Sequence, residues 1–256
     1  MNAATQSDLP EARCGAFNMA VDHVLLERVQ RGGPPALRFY RWQPACLSLG
    51  RNQPACTQQS RLEALAPDIV RRPTGGLAVL HDQELTYSVA APASTFGSPR
   101  AAYEAINQAL LRGLLSLGVP AAALTADSTR SSFRGAGSCF AGSAPGEVGV
   151  DGRKMVGSAQ RYERRTILQH GSILLDGDQS MADEWFGWSA HAESSTALGR
   201  VLPRLPDQRE LLDVFGRSFE QQLGIALAPA CLGSIELARV HELTDHYRSA
   251  AWTWRV

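Results

Sequence analysis

The dipeptide Asp151-Gly152 constrains this chain more than any other local signal. It stands between two alternating runs, EVGV and RKMVGSAQRY. Such a pair specifies a tight hairpin, because both residues take the left-handed backbone that matches strand twist. A third run, TILQHGSILLD, reads as a strand antiparallel to the second. Strands joined by short turns argue against a doubly wound parallel sheet, whose neighbours need helical crossovers. ALRFYRW alternates Leu37, Phe39 and Arg41 against Arg38, Tyr40 and Trp42. CLSLG reads as another strand, and IVRRPTGGLAVLHDQELTYSVA as strand, glycine turn and strand interrupted near Asp82. Helical periodicity marks NMAVDHVLLERVQ, with Asn18 as N-cap and Val21, Leu25 and Val29 on one stripe. It also marks the short RLEALAP, AAYEAINQALLRGLLSLG with Gly118 as its stop, and two segments from about Asp207 to Leu223 and from Ser234 to about Arg248. The expected fold is α/β in the α+β sense: a mixed, largely antiparallel β-sheet flanked by helices.

The 256 residues are 44% hydrophobic and 20% charged, a globular balance that needs no disulfides to build a core. Formal net charge is zero, so no global footprint for nucleic acid exists. No stretch approaches the length of apolar sequence that spans a bilayer, and the first residues lack a secretory pattern. The five cysteines, Cys14, Cys46, Cys56, Cys139 and Cys231, are odd in number and widely spaced without a CxxC. They point to free thiols in a reducing cytoplasm. The histidines form no HExxH pattern, so no metal site is expected.

Of the 25 basic residues 24 are arginine; Lys154 is the one lysine. An ammonium is a compact point charge, whereas a guanidinium is a planar fork that stays charged. Period-2 alternation puts Lys154, Val156, Ser158 and Gln160 on one strand face and Arg153, Met155, Gly157 and Ala159 on the other. The small residues Gly157, Ala159 and Gly171 leave room for an extended apolar chain, or for a closely crossing helix. On a solvated hairpin, Lys154→Arg would shift stability by about 0.5 kcal/mol or less, so an unchanged melting transition is expected. RRPTGG (Arg71 to Gly76) is either an ordinary glycine turn or a loop where a ligand approaches the backbone beside arginines. His81, Asp82 and Glu84 follow as the polar end of a strand or as groups near a reacting centre. Cys139 lies in the glycine-rich GAGSCFAG, where a thiol is more accessible than one among apolar neighbours.

Taken in order, NMAVDHVLLE, LRFYRW, SLGRNQ, RRPTGGLAVLHDQELTYSV, SCF, GRKMVGSAQ, LQHGSILLD and HYRSAAWTWR resemble the lipoate–protein ligase and octanoyltransferase branch of the biotin/lipoate ligase superfamily. The resemblance runs from about residue 15 to the C-terminus and implies one catalytic domain over 1–256, without a ligase-type accessory domain. It implies that Lys154 contacts the acyl carbonyl. It implies that Arg72, Gly75 and Gly76 of the RRPTGG turn, with Gly50 and Arg51, line the acyl site together with Gly157. His81 and His170 match family histidines near that site.

Leu77 in place of a third glycine, HDQELTYS in place of HDxGNLNFS, and Cys139 followed by Phe140 resemble the octanoyltransferases of lipoate biosynthesis more than the ATP-dependent ligases. That branch implies transfer of octanoyl from acyl carrier protein, through a thioester on Cys139, to the lysine of a lipoyl carrier domain such as a glycine cleavage H protein or a dehydrogenase E2 subunit. It implies no cofactor. An ATP-dependent lipoate–protein ligase, an octanoyl amidotransferase between carrier domains and a non-catalytic lipoyl-carrier binding protein are the alternatives. An ATP-dependence assay separates the first from octanoyl transfer, and intact Lys154 weighs against the last.

Overall fold

The computed structural model describes residues 3–5, 12–120, 122–124, 140, 146–177, 179–188 and 194–256. In chain order the elements are β1 (Ala3–Thr5), β2 (Ala12–Arg13), α1 (Gly15–Gln30), β3 (Ala36–Trp42), β4 (Cys46–Leu49), α2 (Gln59–Leu65), β5 (Ile69–Arg71), β6 (Val79–His81), β7 (Glu84–Pro92) and α3 (Pro99–Ser116). Then come β8 (Ala122–Leu124), β9 (Val148–Val150), β10 (Arg153–Glu163), β11 (Thr166–Leu174), α4 (Ser180–Phe186), α5 (Leu198–Val201), α6 (Gln208–Leu223), β12 (Leu227–Pro229), α7 (Ser234–Arg248) and α8 (Ala250–Thr253).

Seven strands form one sheet in the order β2-β3-β7-β11-β10-β9-β8. It is antiparallel except where β2 meets β3, so the expected mixed, mostly antiparallel sheet is what the chain builds. Asp151 (φ 50°) and Gly152 (φ 76°) turn the β9–β10 hairpin as the sequence predicts, with Arg153 opposite Val150. A second, three-stranded sheet has the order β5-β4-β6. The two arms of the glycine turn are therefore not paired to each other; both flank β4, β5 in parallel and β6 antiparallel.

The large sheet is buried on both faces. Leu37, Phe39, Leu85, Tyr87, Val89 and Ile173 pack against Ile106, Leu110 and Leu114 of α3 and against Phe215 and Phe219 of α6. On the opposite face Tyr40, Trp42 and Leu168 meet Val21, Leu25 and Val29 of α1, with Val240 and Tyr247 of α7 behind them. The small sheet, with Leu47, Leu49 and Leu80, is backed by Leu62 of α2 and by Ala182 and Phe186 of α4. The space between α1, the small sheet and the polar face of the large sheet holds the candidate site.

Local signals set most helix ends. Ser98 caps α3 by accepting from the Ala101 amide at 3.1 Å, and Gly118 (φ 82°) follows its last turn. Asp207 and Glu210 form a capping box on α6. The expected N-cap at Asn18 is a correction. Helix α1 begins at Gly15, whose amide donates to the Asp68 carboxylate at 2.7 Å, a cap supplied from 53 residues away. Asn18 is inside the helix and fully buried, with Nδ2 donating to the carbonyls of Arg13 (3.0 Å) and Arg41 (3.1 Å). Among the described residues, no helix is long and apolar enough to cross a membrane, and no group of three or more His, Cys, Asp or Glu converges.

Candidate active site

Strand alternation gives the large sheet a polar stripe under α1. Arg38, Tyr40 and Trp42 of β3, Thr86 and Ser88 of β7, and His170 and Ser172 of β11 all point that way, and Gly157 and Ala159 lie opposite Ser172 and His170 on β10. Tyr40, Trp42, Thr86, His170, Ser172, Gly157 and Ala159, with Met19 of α1 and Ser48, Arg72, Val79 and His81 around the small sheet, line a pocket of about 360 Å³, the open space at its mouth included.

Most of its polar groups satisfy one another; Glu84 Oε2 and Arg38 Nε are buried without a hydrogen-bond partner. His81 stacks on Trp42, rings 3.9 Å apart and within 11° of parallel. Its Nδ1 lies 2.8 Å from Glu84 Oε1 and its Nε2 lies 2.7 Å from Ser48 Oγ. Glu84 Oε1 also accepts from Ser172 at 2.8 Å and from Thr86, which in turn accepts from the Trp42 indole at 2.6 Å. Arg72 donates to Ser48 Oγ at 3.1 Å and to the carbonyls of Ser48, Gly75 and Leu77. With these hydrogen bonds turned on each other, the slot offers stacked rings and glycine backbone, the lining an extended methylene chain needs.

A second buried network fixes His170. Its Nδ1 donates to Asp22 Oδ2 at 3.0 Å, and its Nε2 accepts from the Thr74 hydroxyl at 2.6 Å. Asp22 accepts further from Arg38 (2.9 Å), Tyr40 (2.9 Å) and Ser88 (2.8 Å). Burial alone would raise the Asp22 carboxyl, but the His170 and Arg38 interactions outweigh it and hold it below its ordinary value. Burial also pushes the His170 imidazole down, against the pull of Asp22. A neutral imidazole with Nδ1 protonated fits both partners.

The glycine positions depend on close backbone approach. A Cβ on Gly50 would sit 1.8 Å from the Gly76 carbonyl oxygen, and Gly76 itself has φ 89°. Gly75 has open space around its Cα. A Cβ on Gly157 would stand 2.8 Å from the Phe140 ring and 3.6 Å from Lys154 Cε. Arg51 is placed apart from the cavity lining: its amide donates to the Thr74 carbonyl at 2.8 Å and its guanidinium lies 5.9 Å from the Trp252 ring.

Lys154 departs from the expectation for a hairpin residue. Its side chain is 1% exposed, and Nζ donates to Glu147 Oε1, itself 6% exposed, at 2.7 Å. The Phe140 ring lies on another side, 5.1 Å from the ammonium. The register slips by one residue between Lys154 and Val156, a β-bulge. Met155 and Val156 consequently both enter the α3-side core, and Lys154 reaches the Gly157 face. Simple alternation had set Lys154 and Gly157 on opposite faces. Outside the strand, Ser195 bridges to Lys154 and the Thr196 amide donates to the Lys154 carbonyl at 2.9 Å.

Cys139 lies outside the described residues; Phe140, the next residue, is buried among Val79, Leu174 and Ala197. Among the described cysteines, Cys46 is buried and burial pushes its thiol well up, as suits a small hydrophobe. Sequence reasoning missed Asp22, Trp42 as a stacking partner, and Glu147. Asp22 carried a signal: a lone carboxylate amid Met19, Ala20, Val21, Val24 and Leu25 must find a buried cation.

The chain matches the lipoyl protein ligase A/B catalytic-domain family over residues 14–218. The curated protein called Octanoyltransferase LipM from Staphylococcus aureus is 36% identical, across 93% of this chain and 94% of that protein. Those of Geobacillus kaustophilus and Bacillus subtilis are 37% and 36% identical, each across 94% of both chains. Among solved structures, a lipoate-protein ligase A bound with ATP superposes with a TM-score of 0.80 at 20% identity, over 99% of both chains. A chain from the bipartite lipoate protein ligase and E2 lipoyl domain of Thermoplasma acidophilum gives 0.76 at 20% identity, over 99% of this chain and 96% of that one. At that identity the likeness is one of fold.

Proposed function

The chain belongs to the lipoyl protein ligase A/B catalytic-domain family, and from that premise we propose that it is an octanoyltransferase acting on a lipoyl carrier domain. The relatives that match nearly the whole chain carry the name octanoyltransferase, which supports the reaction. The observation that carries the chemistry is the buried Lys154 ammonium, whose Cε would lie 3.6 Å from a Cβ on Gly157, a lining residue of the slot.

The acyl donor in this reading is the octanoyl thioester of acyl carrier protein. Its octanoyl chain occupies the slot between Trp42, His81, Gly157 and His170. The Cys139 thiolate attacks the thioester carbon, and the carrier thiolate leaves, takes up a proton and departs as the thiol. The lysine amine of the carrier domain then attacks the acyl-enzyme. An amide forms, the Cys139 sulfur leaves, and the amine's proton is released. Lys154 donates a hydrogen bond to the carbonyl oxygen as charge develops on it in both halves. A thioester is already activated, so neither ATP nor a metal enters. Arg72 lines the slot and braces the turn through the Gly75 carbonyl, with Gly50 permitting the close approach of Gly76; Gly50, Arg51, Gly75 and Gly76 are not among its lining residues. We assign the reaction to the cytoplasm on the odd, widely spaced cysteines.

Two measurements test this. Intact-protein mass spectrometry after mixing with octanoyl thioester is expected to show one octanoyl adduct that Cys139→Ala abolishes; an adduct that persists in the variant refutes the nucleophile. Transfer from octanoyl-carrier protein to a lipoyl domain is expected to proceed equally with and without ATP. Strict ATP dependence refutes the donor and returns the chain to the ligases.

A further inference from the structure

Strand β10 is closed at both ends by the same kind of turn, but with different residues. Asp151 and Gly152 turn toward β9 at φ 50° and 76°. Arg164 and Arg165 turn toward β11 at φ 48° and 63°, between the paired Glu163 and Thr166. A two-residue hairpin with both central residues left-handed favours Asn-Gly or Asp-Gly, and an arginine held in that backbone is strained. Both arginines are exposed, and neither side chain pairs with a carboxylate among the described residues. Nothing within the described chain offsets the strain, and uncompensated strain of this kind collects at functional positions. We propose that the Arg164–Arg165 turn, with Arg161, Arg51 and Arg255, is a basic ridge on which an acidic face of the lipoyl carrier domain docks. The inference rests on the acceptor named above and gives that acceptor its docking surface.

The ridge is continuous and borders the slot. Arg161 shares a strand face with Ala159, a lining residue. Burial, and then the charge of Arg51, lowers the Arg161 guanidinium below its ordinary value, which brings those two cations close together. Arg161 and Arg164 line one cleft beside α1, where Glu27 is already taken by Arg31 and Arg239. Arg255 donates to the Arg51 carbonyl at 2.5 Å, and the Arg51 and Arg255 guanidiniums lie 5.9 and 4.4 Å from the Trp252 ring centre. The Arg51 amide holds the Thr74 carbonyl, and the Thr74 hydroxyl meets His170, another lining residue. Glu163 pairs with Arg161, and the formal net charge of the chain is zero, so the basic excess is local. A local positive excess selects a negative partner surface. Tyr162, exposed at the same hairpin end, adds the other residue type that protein interfaces favour beside arginine. The acceptor is the partner that must sit here. Its nucleophile is a lysine side chain, too short to enter the slot unless the domain itself meets the rim. A standard interface covers about 800 Å² on each side, which takes in the ridge and the mouth of the slot together.

Replacing the turn by Arg164→Asn with Arg165→Gly separates stability from docking. The variant has the residues its backbone prefers, so Tm is expected to rise by about 1–4 °C. Calorimetric binding of an unmodified lipoyl domain at low salt is expected to weaken about three- to thirty-fold. In the transfer assay KM for that domain should rise to match while kcat holds. Arg164→Lys with Arg165→Lys keeps both charges and is expected to bind within about two-fold of the wild type. Equal binding by the Asn-Gly variant and the wild type overturns the ridge. A Lys-Lys variant as weak as the Asn-Gly variant overturns charge as the cause, and an Asn-Gly variant that melts below the wild type overturns the strain. Unchanged acceptor binding with slower acyl-enzyme formation from octanoyl-carrier protein gives the surface to the donor and overturns the occupant. A wild type that binds no lipoyl domain refutes the acceptor and this surface with it. A wild type that binds the domain but transfers no octanoyl refutes the octanoyl reading alone, and the binding comparison still decides the ridge.

Discussion

Replacing Lys154 by methionine keeps an unbranched side chain of similar length and removes the ammonium. In solvent that exchange would be nearly silent. Here it takes a 2.7 Å ammonium partner away from the Glu147 carboxylate, whose side chain is 6% exposed. Breaking a buried pair from one side costs about 3–5 kcal/mol, because the remaining charge stays desolvated and loses that partner. For a chain of this size that corresponds to a fall in Tm of roughly 6–20 °C. Lys154→Arg keeps the pair but forces a wider, planar group into a site already tight: a mere Cβ on neighbouring Gly157 would stand 2.8 Å from the Phe140 ring. Overpacking of that kind costs about 1–3 kcal/mol, which replaces the unchanged melting expected of a solvated hairpin. Adding Glu147→Gln to Lys154→Met removes the remaining buried charge and is expected to recover part of the loss. Chemical denaturation of the four proteins at neutral pH gives the order: wild type, then Lys154→Arg, with the double variant above Lys154→Met. A Lys154→Met protein within about 1 kcal/mol of wild type, or a double variant no more stable than it, refutes the reasoning.

Gly50→Ala drives a Cβ to 1.8 Å from the Gly76 carbonyl, backbone against backbone, and is expected to cost about 3 kcal/mol or more in a urea titration. Gly75→Ala meets nothing within 4 Å and is expected to cost under about 1 kcal/mol; equal losses at the two sites refute the crossing of these segments. His170 is held neutral below its ordinary value of 6.5, so the unfolded chain binds its proton first as pH falls. Its contribution is therefore fully present above about 6.5 and is lost as pH drops toward the lowered value. The slope of stability against pH below about 6.5 should be shallower in His170→Gln than in the wild type; identical slopes refute the buried, Asp22-bound imidazole.

The chain's elements were legible because their signals are local. The Asp-Gly turn, the alternation of Arg38, Tyr40 and Trp42, and the glycine after α3 each act within a few residues. What escaped is what the tertiary fold supplies. Asn18 looks like an N-cap, but the α1 terminus is capped by Asp68 from another element, so the asparagine is free to tie α1 to β2 and β3 instead. Arg72 looks like an anion ligand beside a glycine turn, yet its hydrogen bonds to Gly75 and Leu77 make it the brace of that turn. Glu147 reads as the start of a strand, and only the pairing of β9 with β10 brings it to Lys154.

The bulge at Lys154 explains how one strand serves two demands. Strand β10 buries apolar side chains against α3 on one face, presents small residues to the slot on the other, and carries a cation on that second face. Strict alternation cannot do this with the order Lys-Met-Val-Gly: if Val156 joins the α3-side core, Lys154 goes there too, into apolar surroundings that a charge does not tolerate. One extra residue between Lys154 and Val156 shifts the phase. Met155 and Val156 then both enter the α3-side core, and Lys154 turns to the Gly157 face. Gly149, opposite Lys154, is what lets the strands close over the irregularity, since a Cβ there would meet the Arg153 carbonyl at 2.5 Å. The period breaks at the residue proposed to polarise the acyl carbonyl, and the glycine that permits the break lies on the neighbouring strand. A reading of β10 alone therefore assigns every residue a face and puts Lys154 on the wrong side.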